Sequence, residues 1–271
     1  MKSIESKFID IAGMRTHYFE GGKGAHVVLL HSGEFGGSAE LSWEFALPAL
    51  AEHFHVVAPD WLGFGESAKI FDFEDMRGRR LCHIAAFLAA LGIKAAYFIG
   101  NSMGGGMLAD AASSSPPFWP IQKMILVGAG GFAPANEARR ILNSYDGTRE
   151  HMRRILHTVL AISPLRDDEA YLEKRYRSSL VTGAFECTAA ARFRRPGKKS
   201  GERERTDYRA IKFPTLIVAG GKDPLRERGY AKGLQAEIEG SELIMFETAA
   251  HFPHIDEPER FNRAVIEFLS R

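Results

Sequence analysis

Cysteine is scarce in this sequence, and neither sign of charge is in excess. Cys82 and Cys187 are the two cysteines among 271 residues, too few for a disulfide framework or a four-ligand zinc site. Lysine and arginine total 35 against 34 for aspartate and glutamate, and the net charge of +1 argues against a whole-surface field for nucleic acid. We therefore expect reduced thiols, a cytoplasmic location and no nucleic-acid partner.

Long apolar runs are also missing. Residues 1–15 carry no apolar segment followed by a small-residue cleavage site, which argues against a signal peptide. The most membrane-like stretch, Ile84 to Ile93, is too short to span a bilayer, and His83 and Lys94 flank it. We expect no association with a membrane.

The composition is that of a globular protein. Hydrophobic residues make up 45% of the chain and charged residues 25%, with a mean hydropathy of −0.17. Short continuous apolar runs alternate with helical segments such as Trp43–Phe54 and Met76–Leu91. Such runs are typical of parallel strands covered on both faces. They are Val27–Leu30, Val56–Ala58, Ala95–Ile99, Met124–Val127 and Thr215–Ala219. The pattern predicts an α/β fold with a mostly parallel sheet flanked by helices, preceded by an antiparallel hairpin around Gly13.

The alternation stops after Gly128 and resumes at Thr215. We predict an α/β core of residues 1–130 and 211–271, with a helical lid at residues 131–210 inserted after the sixth strand. The basic stretch Arg192–Arg205 is interrupted by acidic residues, and we interpret it as a solvated loop. Three helical stretches are predicted within the lid: Glu137–Ser144, Arg149–Ile162 and Asp167–Leu180.

One short motif carries chemistry. Residues 100–104 read Gly-Asn-Ser-Met-Gly, directly after the apolar run Ala95–Ile99 and before a predicted helix at Gly105–Ala112. This is the G-x-S-x-G nucleophile elbow in its strand–turn–helix context. The glycines allow close backbone approach at a sharp turn, so that the Ser102 hydroxyl projects from the edge of the sheet. We predict Ser102 as a nucleophile.

A nucleophilic serine needs a base, and the base needs an acid to orient it. The chain order Ser…Asp…His is expected on this fold, and it points to Asp223 and His251, which both follow late strand-like runs. His254 remains a rival for the base. Asp60, Asp110 and Asp256 remain rivals for the acid; Asp60 also fits a turn and Asp256 an N-cap of the last helix. His31 fits a residue that orients the neighbouring loop through hydrogen bonds.

The developing oxyanion needs two backbone N–H donors. The residue after the nucleophile, Met103, is predicted to supply one of them. The glycine-rich loop after the third strand supplies the other, and Gly33 is our candidate within residues 31–37.

These residues resemble the α/β-hydrolase family over nearly the whole chain. Within it the sequence is most similar to the meta-cleavage product hydrolases, which cut carbon–carbon bonds in ring-fission products of aromatic degradation. The similarity lies in Leu29-Leu30-His31, the segment Asp60–Ser67, Gly100–Gly105, Gly128–Gly131 and Phe261-Asn262-Arg263.

The resemblance implies a 2-hydroxy-6-oxo-2,4-dienoate substrate, no cofactor, no metal and a homo-oligomer of two or more chains. It implies that Asn101 and a lid arginine, here Arg175, hold the carboxylate end of the substrate; the other interpretation of Arg175 is a solvent-facing helix charge. Ser32, Ser42 and Phe252 stand at substrate-side positions where the family commonly has glycine, asparagine and tryptophan. Glu34 is a further departure, because a carboxylate beside an oxyanion opposes its charge unless it points away or pairs with a cation.

Two other functions fit the same residues. A carboxylesterase or lactonase would use the same Ser-Asp-His set with an alkoxide as the leaving group. A small-molecule receptor on a hydrolase fold would keep the set with little turnover. The carboxylate nucleophile of dehalogenases and epoxide hydrolases is lacking at position 102.

Overall fold

The structure, a computed structural model, describes residues 4–131, 133–190 and 206–271. Over these ranges eight strands form one sheet in the order β1-β2-β4-β3-β5-β6-β7-β8. The pairs β1–β2 and β2–β4 are antiparallel, and every other pair is parallel. The strands are β1 (Ile4–Ile11), β2 (Met14–Gly22), β3 (His26–Leu30), β4 (His55–Pro59), β5 (Ala96–Asn101), β6 (Ile121–Val127), β7 (Thr215–Gly220) and β8 (Glu242–Phe246). The predicted sheet and its N-terminal hairpin are confirmed.

Helices cover both faces of the sheet, which explains why its central strands are apolar at successive positions. One face carries α3 (Met76–Ala90), α4 (Met103–Ser113) and α9 (Tyr230–Glu237). The other carries α1 (Ala39–Trp43), α2 (Ala46–Ala51) and α11 (Pro258–Ser270), with the short α10 (Pro253–Asp256) leading into α11. Each fully buried Leu, Ile or Phe in these layers contributes roughly 1.5–3 kcal/mol.

The single helix predicted over Trp43–Phe54 is wrong. The structure ends α1 at Trp43 and starts α2 at Ala46. Pro48 explains the break, since proline is tolerated in the first turn of a helix and not in its interior. Helix α1 begins where the Ser38 hydroxyl accepts the Leu41 N–H over 3.2 Å.

In the described part of the segment between β6 and β7, four α-helices follow one another: α5 (Glu137–Asn143), α6 (Arg149–Val159), α7 (Glu169–Ser179) and α8 (Ala184–Ala190). They share an apolar cluster with core residues, in which Met152, Leu156 and Leu172 meet Phe252 and Ile255. That this segment is a separate domain and a lid remains a prediction. The stretch Arg192–Arg205 lies outside the described residues.

No helix in the described ranges combines the length and the apolar character needed to cross a membrane. The cytoplasmic location remains a prediction.

Candidate active site

Ser102 stands at the turn between β5 and α4. Its backbone has φ 51° and ψ −109°, a conformation that side-chain-bearing residues rarely adopt and that costs about 1–3 kcal/mol. Hydrogen bonds hold the turn: the Ser102 N–H donates to Val127 O over 2.9 Å, and the Gly106 N–H donates to Ser102 O over 2.9 Å. These hydrogen bonds keep the strained turn in place, so that the Ser102 hydroxyl is held at the carboxyl edge of the sheet.

A hydrogen-bonded chain runs from this hydroxyl through His251 to Asp223. His251 Nε2 lies 2.8 Å from Ser102 Oγ, and His251 Nδ1 lies 2.7 Å from Asp223 Oδ2. Asp223 follows the end of β7, and His251 follows the end of β8. Burial opposes ionisation of Asp223, but the His251 ring and the Leu225 N–H outweigh it and hold the pKa of Asp223 below its ordinary range. An ionised Asp223 accepts a hydrogen bond from the His251 Nδ1–H, which leaves Nε2 unprotonated and able to accept the Ser102 proton.

The residues that rivalled His251 and Asp223 in the sequence contact other parts of the protein. The His254 ring packs 4.8 Å from that of Trp43, and burial lowers the pKa of His254 to about 3. Asp60 accepts from His17 Nδ1 at 2.7 Å and from the Ala39 N–H at 2.7 Å, so it ties the hairpin to α1. Asp110 pairs with Arg77.

His31 acts as expected on its neighbours. Its Nδ1 donates to Ser32 O over 2.6 Å, and its Nε2 accepts the Trp61 N–H over 3.1 Å. Burial lowers the pKa of His31, consistent with a neutral ring that orients the loop.

The two residues predicted to supply the oxyanion donors are neighbours in space. Met103 is the first residue of α4, where an N–H has no partner within the helix. The Gly33 Cα faces the Met103 side chain so closely that a Cβ at position 33 would be 2.6 Å from Met103 Sδ. A side chain at position 33 would therefore have to displace the Met103 side chain, and glycine lets the loop approach the elbow without that shift.

Arg175 points into the interior and pairs with Glu34, so the solvent-facing interpretation of Arg175 is wrong. Arg175 Nη1 donates to Glu34 Oε1 over 2.7 Å, and Glu34 also accepts a hydrogen bond from the Ser32 hydroxyl. Burial opposes the charge on Glu34, but Arg175 and Ser32 outweigh it, and the pKa of Glu34 lies below its ordinary range. Glu34 therefore meets the second of the two conditions set above, by pairing with a cation.

The other predicted substrate-side residues fall into two groups. Ser42 Oγ lies 3.5 Å from Ser32 Oγ, and the Phe252 ring lies 5.6 Å from the Arg175 guanidinium, so these side chains gather around the ion pair. Asn101 is turned toward β6 instead, where its Nδ2 donates to Val127 O over 3.0 Å. A role for Asn101 at the substrate carboxylate remains a prediction.

The protein-family model for the "Alpha/beta hydrolase family" matches residues 27–264, which include the elbow, Asp223 and His251. The chain belongs to this alpha/beta hydrolase family.

Relatives of this hydrolase match it over nearly their whole length. It is 31% identical to 2-hydroxy-6-oxo-6-(2'-aminophenyl)hexa-2,4-dienoic acid hydrolase of Metapseudomonas resinovorans, over 98% of this chain and 91% of the relative. It is 30% identical to 2-hydroxymuconate semialdehyde hydrolase of Pseudomonas sp. strain CF600, over 96% and 92%. Among solved structures, the meta-cleavage product hydrolase CumD of Pseudomonas fluorescens IP01 superposes with a TM-score of 0.86 at 28% identity, over 97% of each chain. The predicted α/β-hydrolase fold is confirmed.

This hydrolase contains a second Ser-His-Asp chain, which the sequence did not suggest. Ser6 Oγ lies 2.9 Å from His17 Nε2, and His17 Nδ1 lies 2.7 Å from Asp60 Oδ2. Ser6 belongs to the regular edge strand β1, however, and neither a strained turn nor a helix N-terminus lies behind it. We interpret this second chain as structural, because an oxyanion formed there would lack preorganised donors.

Asp256 is a positioning residue that sequence reasoning misjudged. It does not cap α11, whose N-cap is Glu257. Its carboxylate accepts the N–H groups of Ala161, Ile162 and Ser163 at 2.8–3.1 Å and that of Ala250 at 2.8 Å. The residue thereby ties the chain after α6 to the loop that carries His251. The sequence carries no local signal for a contact of this range.

Arg80 on α3 is a second residue beside the site that the sequence did not predict. Its Nε and Nη2 donate to Leu62 O at 3.1 and 3.0 Å, and its Nη1 contacts Met103 Sδ at 3.5 Å. Burial lowers the pKa of Arg80 to about 10. The side chain therefore contacts the side chain of the predicted oxyanion donor Met103. The arginine is one of several on α3, and nothing in the local pattern singles it out.

Proposed function

We propose that this protein is a cofactor-independent serine hydrolase that cleaves a carbon–carbon bond in a 2-hydroxy-6-oxo-2,4-dienoate. The observation that carries the proposal is the hydrogen-bonded order Ser102–His251–Asp223 on a strained elbow. The relatives at 30–31% identity are named as dienoate and muconate semialdehyde hydrolases, which supports the substrate class.

Proton positions follow from the hydrogen bonds. Asp223 keeps the proton of His251 on Nδ1, so Nε2 is the base toward Ser102 Oγ. When Ser102 attacks a carbonyl carbon, its proton moves to Nε2, and the resulting imidazolium is stabilised by the Asp223 carboxylate. The N–H groups of Gly33 and Met103 are the proposed donors to the oxyanion.

Carbon–carbon cleavage needs a leaving carbon that can hold an electron pair. In the dienoate, transfer of the 2-hydroxyl proton to C5 gives a ketone at C2. Ser102 attack at C6 then breaks the C5–C6 bond, and the electron pair is delocalised as an enolate that takes up a proton. Water activated by His251 hydrolyses the acyl group on Ser102 and releases a carboxylic acid.

The polar cluster next to the elbow supports an acidic substrate end. The guanidinium of Arg175 suits a carboxylate because it stays charged when buried and keeps one N–H, on Nη1, beyond its contacts within the protein. The Ser42 hydroxyl adds a donor at the same place, whereas the Ser32 hydroxyl donates to Glu34. The helices α5–α8 are the proposed lid, and assembly into a dimer or larger oligomer remains a prediction.

A carboxylesterase or lactonase is the second candidate, and one observation favours it. Glu34 already compensates the charge of Arg175, which makes the cluster less attractive to a second carboxylate. An uncharged ester or lactone would not face this competition.

The test compares the two substrate types. We expect the wild-type protein to bleach a yellow 6-phenyl-2-hydroxy-6-oxohexa-2,4-dienoate with kcat/KM at least tenfold above that for p-nitrophenyl acetate. Stopped-flow absorbance and chromatography of the benzoate product provide the measurement. Turnover of the ester without bleaching of the dienoate would favour the esterase, and binding of the dienoate without turnover of either would favour the receptor.

A further inference from the structure

A buried ion pair lies one residue from the proposed oxyanion donor, and the mechanism above uses only one of its members. Glu34 directly follows Gly33, and its side chain is 3% exposed. The side chain of Arg175 is 2% exposed and lies 2.7 Å from Glu34. Charges buried to this extent are retained only when they are paired. The pair therefore has to be considered as a unit when a ligand reaches Arg175.

The donors of Arg175 are largely committed within the protein. Nε and Nη2 donate to the Tyr171 hydroxyl at 3.1 and 3.0 Å, and Nη2 also donates to Leu41 O at 3.1 Å. Nη1 donates to Glu34. A guanidinium has one N–H beyond these four contacts, and it is on Nη1, the nitrogen that Glu34 holds.

Glu34 is held in place from its other oxygen. Oε2 accepts the Ser32 hydroxyl, and Ser32 O in turn accepts from His31 Nδ1 at 2.6 Å. Hydrogen bonds within residues 31–34 therefore tie the carboxylate to the oxyanion loop. A ligand carboxylate that reached Nη1 would face this fixed negative charge at short range, whereas a neutral carbonyl oxygen would not.

We propose that Glu34 is a specificity-determining residue: it occupies Arg175 as an internal carboxylate and disfavours a ligand carboxylate relative to a neutral acceptor at the same place. The inference rests on the proposed function because it concerns the same pocket, and it deepens that function. The carboxylate of a dienoate binds at Arg175 in competition with Glu34.

Ligand binding to a protein that cannot turn over tests this directly. In the Ser102→Ala background, we would titrate sorbate (hexa-2,4-dienoate) and its uncharged amide by calorimetry, with and without Glu34→Gln. Glutamine keeps the size of the side chain and an oxygen that accepts from Arg175, but it removes the charge. We expect the ratio of the Kd of the amide to the Kd of sorbate to rise at least tenfold, which corresponds to about 1.4 kcal/mol.

Two controls separate the charge from other effects. Glu44→Gln removes an acid that contacts Lys174 Nζ at 3.4 Å, next to Arg175 on α7, and it should leave the ratio within twofold. Arg175→Gln combined with Glu34→Gln should abolish the gain, since the gain requires the guanidinium. If Glu34→Gln does not fold, Ser32→Ala loosens the Glu34 carboxylate and should shift the ratio in the same direction by at least twofold.

A folded Glu34→Gln protein with an unchanged ratio, or with no measurable affinity for sorbate, would overturn the proposal. If Ser32→Ala has to be used instead, an unchanged ratio there overturns it equally. Because no variant in this series turns over, a failure of dienoate cleavage in the wild-type protein leaves the binding result intact. The two failures are thus distinguishable.

Discussion

Ser102→Ala is expected to lower kcat for dienoate cleavage at least about 10³-fold, with KM changed much less. The hydroxyl is the proposed attacking group, and removing a nucleophile from such a set leaves only the contribution of the oxyanion donors and of binding. Single-turnover absorbance measurements on the purified variant provide the test. The elbow can keep its backbone conformation, because alanine adds no atom at this position, where φ is 51°.

The second Ser-His-Asp chain offers a matched control. Ser6 has the same residue types at similar distances, 2.9 Å to the His17 ring and 2.7 Å onward to Asp60. Ser6→Ala should leave kcat within twofold of the wild type, because β1 provides neither an elbow nor oxyanion donors. Equal losses in both variants, or full activity in Ser102→Ala, would contradict the assignment.

Gly104→Ala should be the most destabilising small substitution at the elbow. A Cβ at this position would lie 2.2 Å from Leu30 O and 2.7 Å from His31 O, which are backbone atoms at the end of β3 and the start of the oxyanion loop. Because neither atom can yield as a flexible side chain would, we expect a loss of about 3 kcal/mol or more in the free energy of unfolding. Urea denaturation followed by tryptophan fluorescence measures it.

Gly106→Ala is the control on the same helix. The nearest atom to a Cβ there is Arg77 Nη2 at 3.8 Å, an ordinary contact with a flexible side chain. Replacing glycine with alanine inside α4 should stabilise the protein by up to about 1 kcal/mol. A Gly104→Ala protein as stable as Gly106→Ala would show that the elbow does not depend on close packing against β3.

The fold and the central set of three residues were predictable because their signals are local. Continuous apolar runs are typical of buried parallel strands, and the glycines at 100 and 104 stand at two positions of the turn where a Cβ has no room. His251 and Asp223 could be proposed from their positions after strands, since the carboxyl ends of parallel strands meet at one edge. Distance along the chain did not matter to these inferences.

The contacts within the polar cluster around Glu34 and Arg175 were not predictable from the sequence. Glu34 and Arg175 are 141 residues apart, and nothing in either neighbourhood specifies that their side chains meet. The sequence shows that a carboxylate near the oxyanion needs a partner, but the partner follows from how α7 packs on the oxyanion loop. Tyr171 had a usable signal, because it precedes Arg175 by one helical turn and lies on the same face.

Reaction with a fluorophosphonate, followed by peptide mass spectrometry, tests the central claim most directly. The account predicts that fluoride leaves the reagent and that one phosphonyl group becomes bonded to Ser102 Oγ. The labelling rate should be at least 100-fold lower in His251→Ala. Labelling of any other serine, or an unchanged rate without His251, would contradict it.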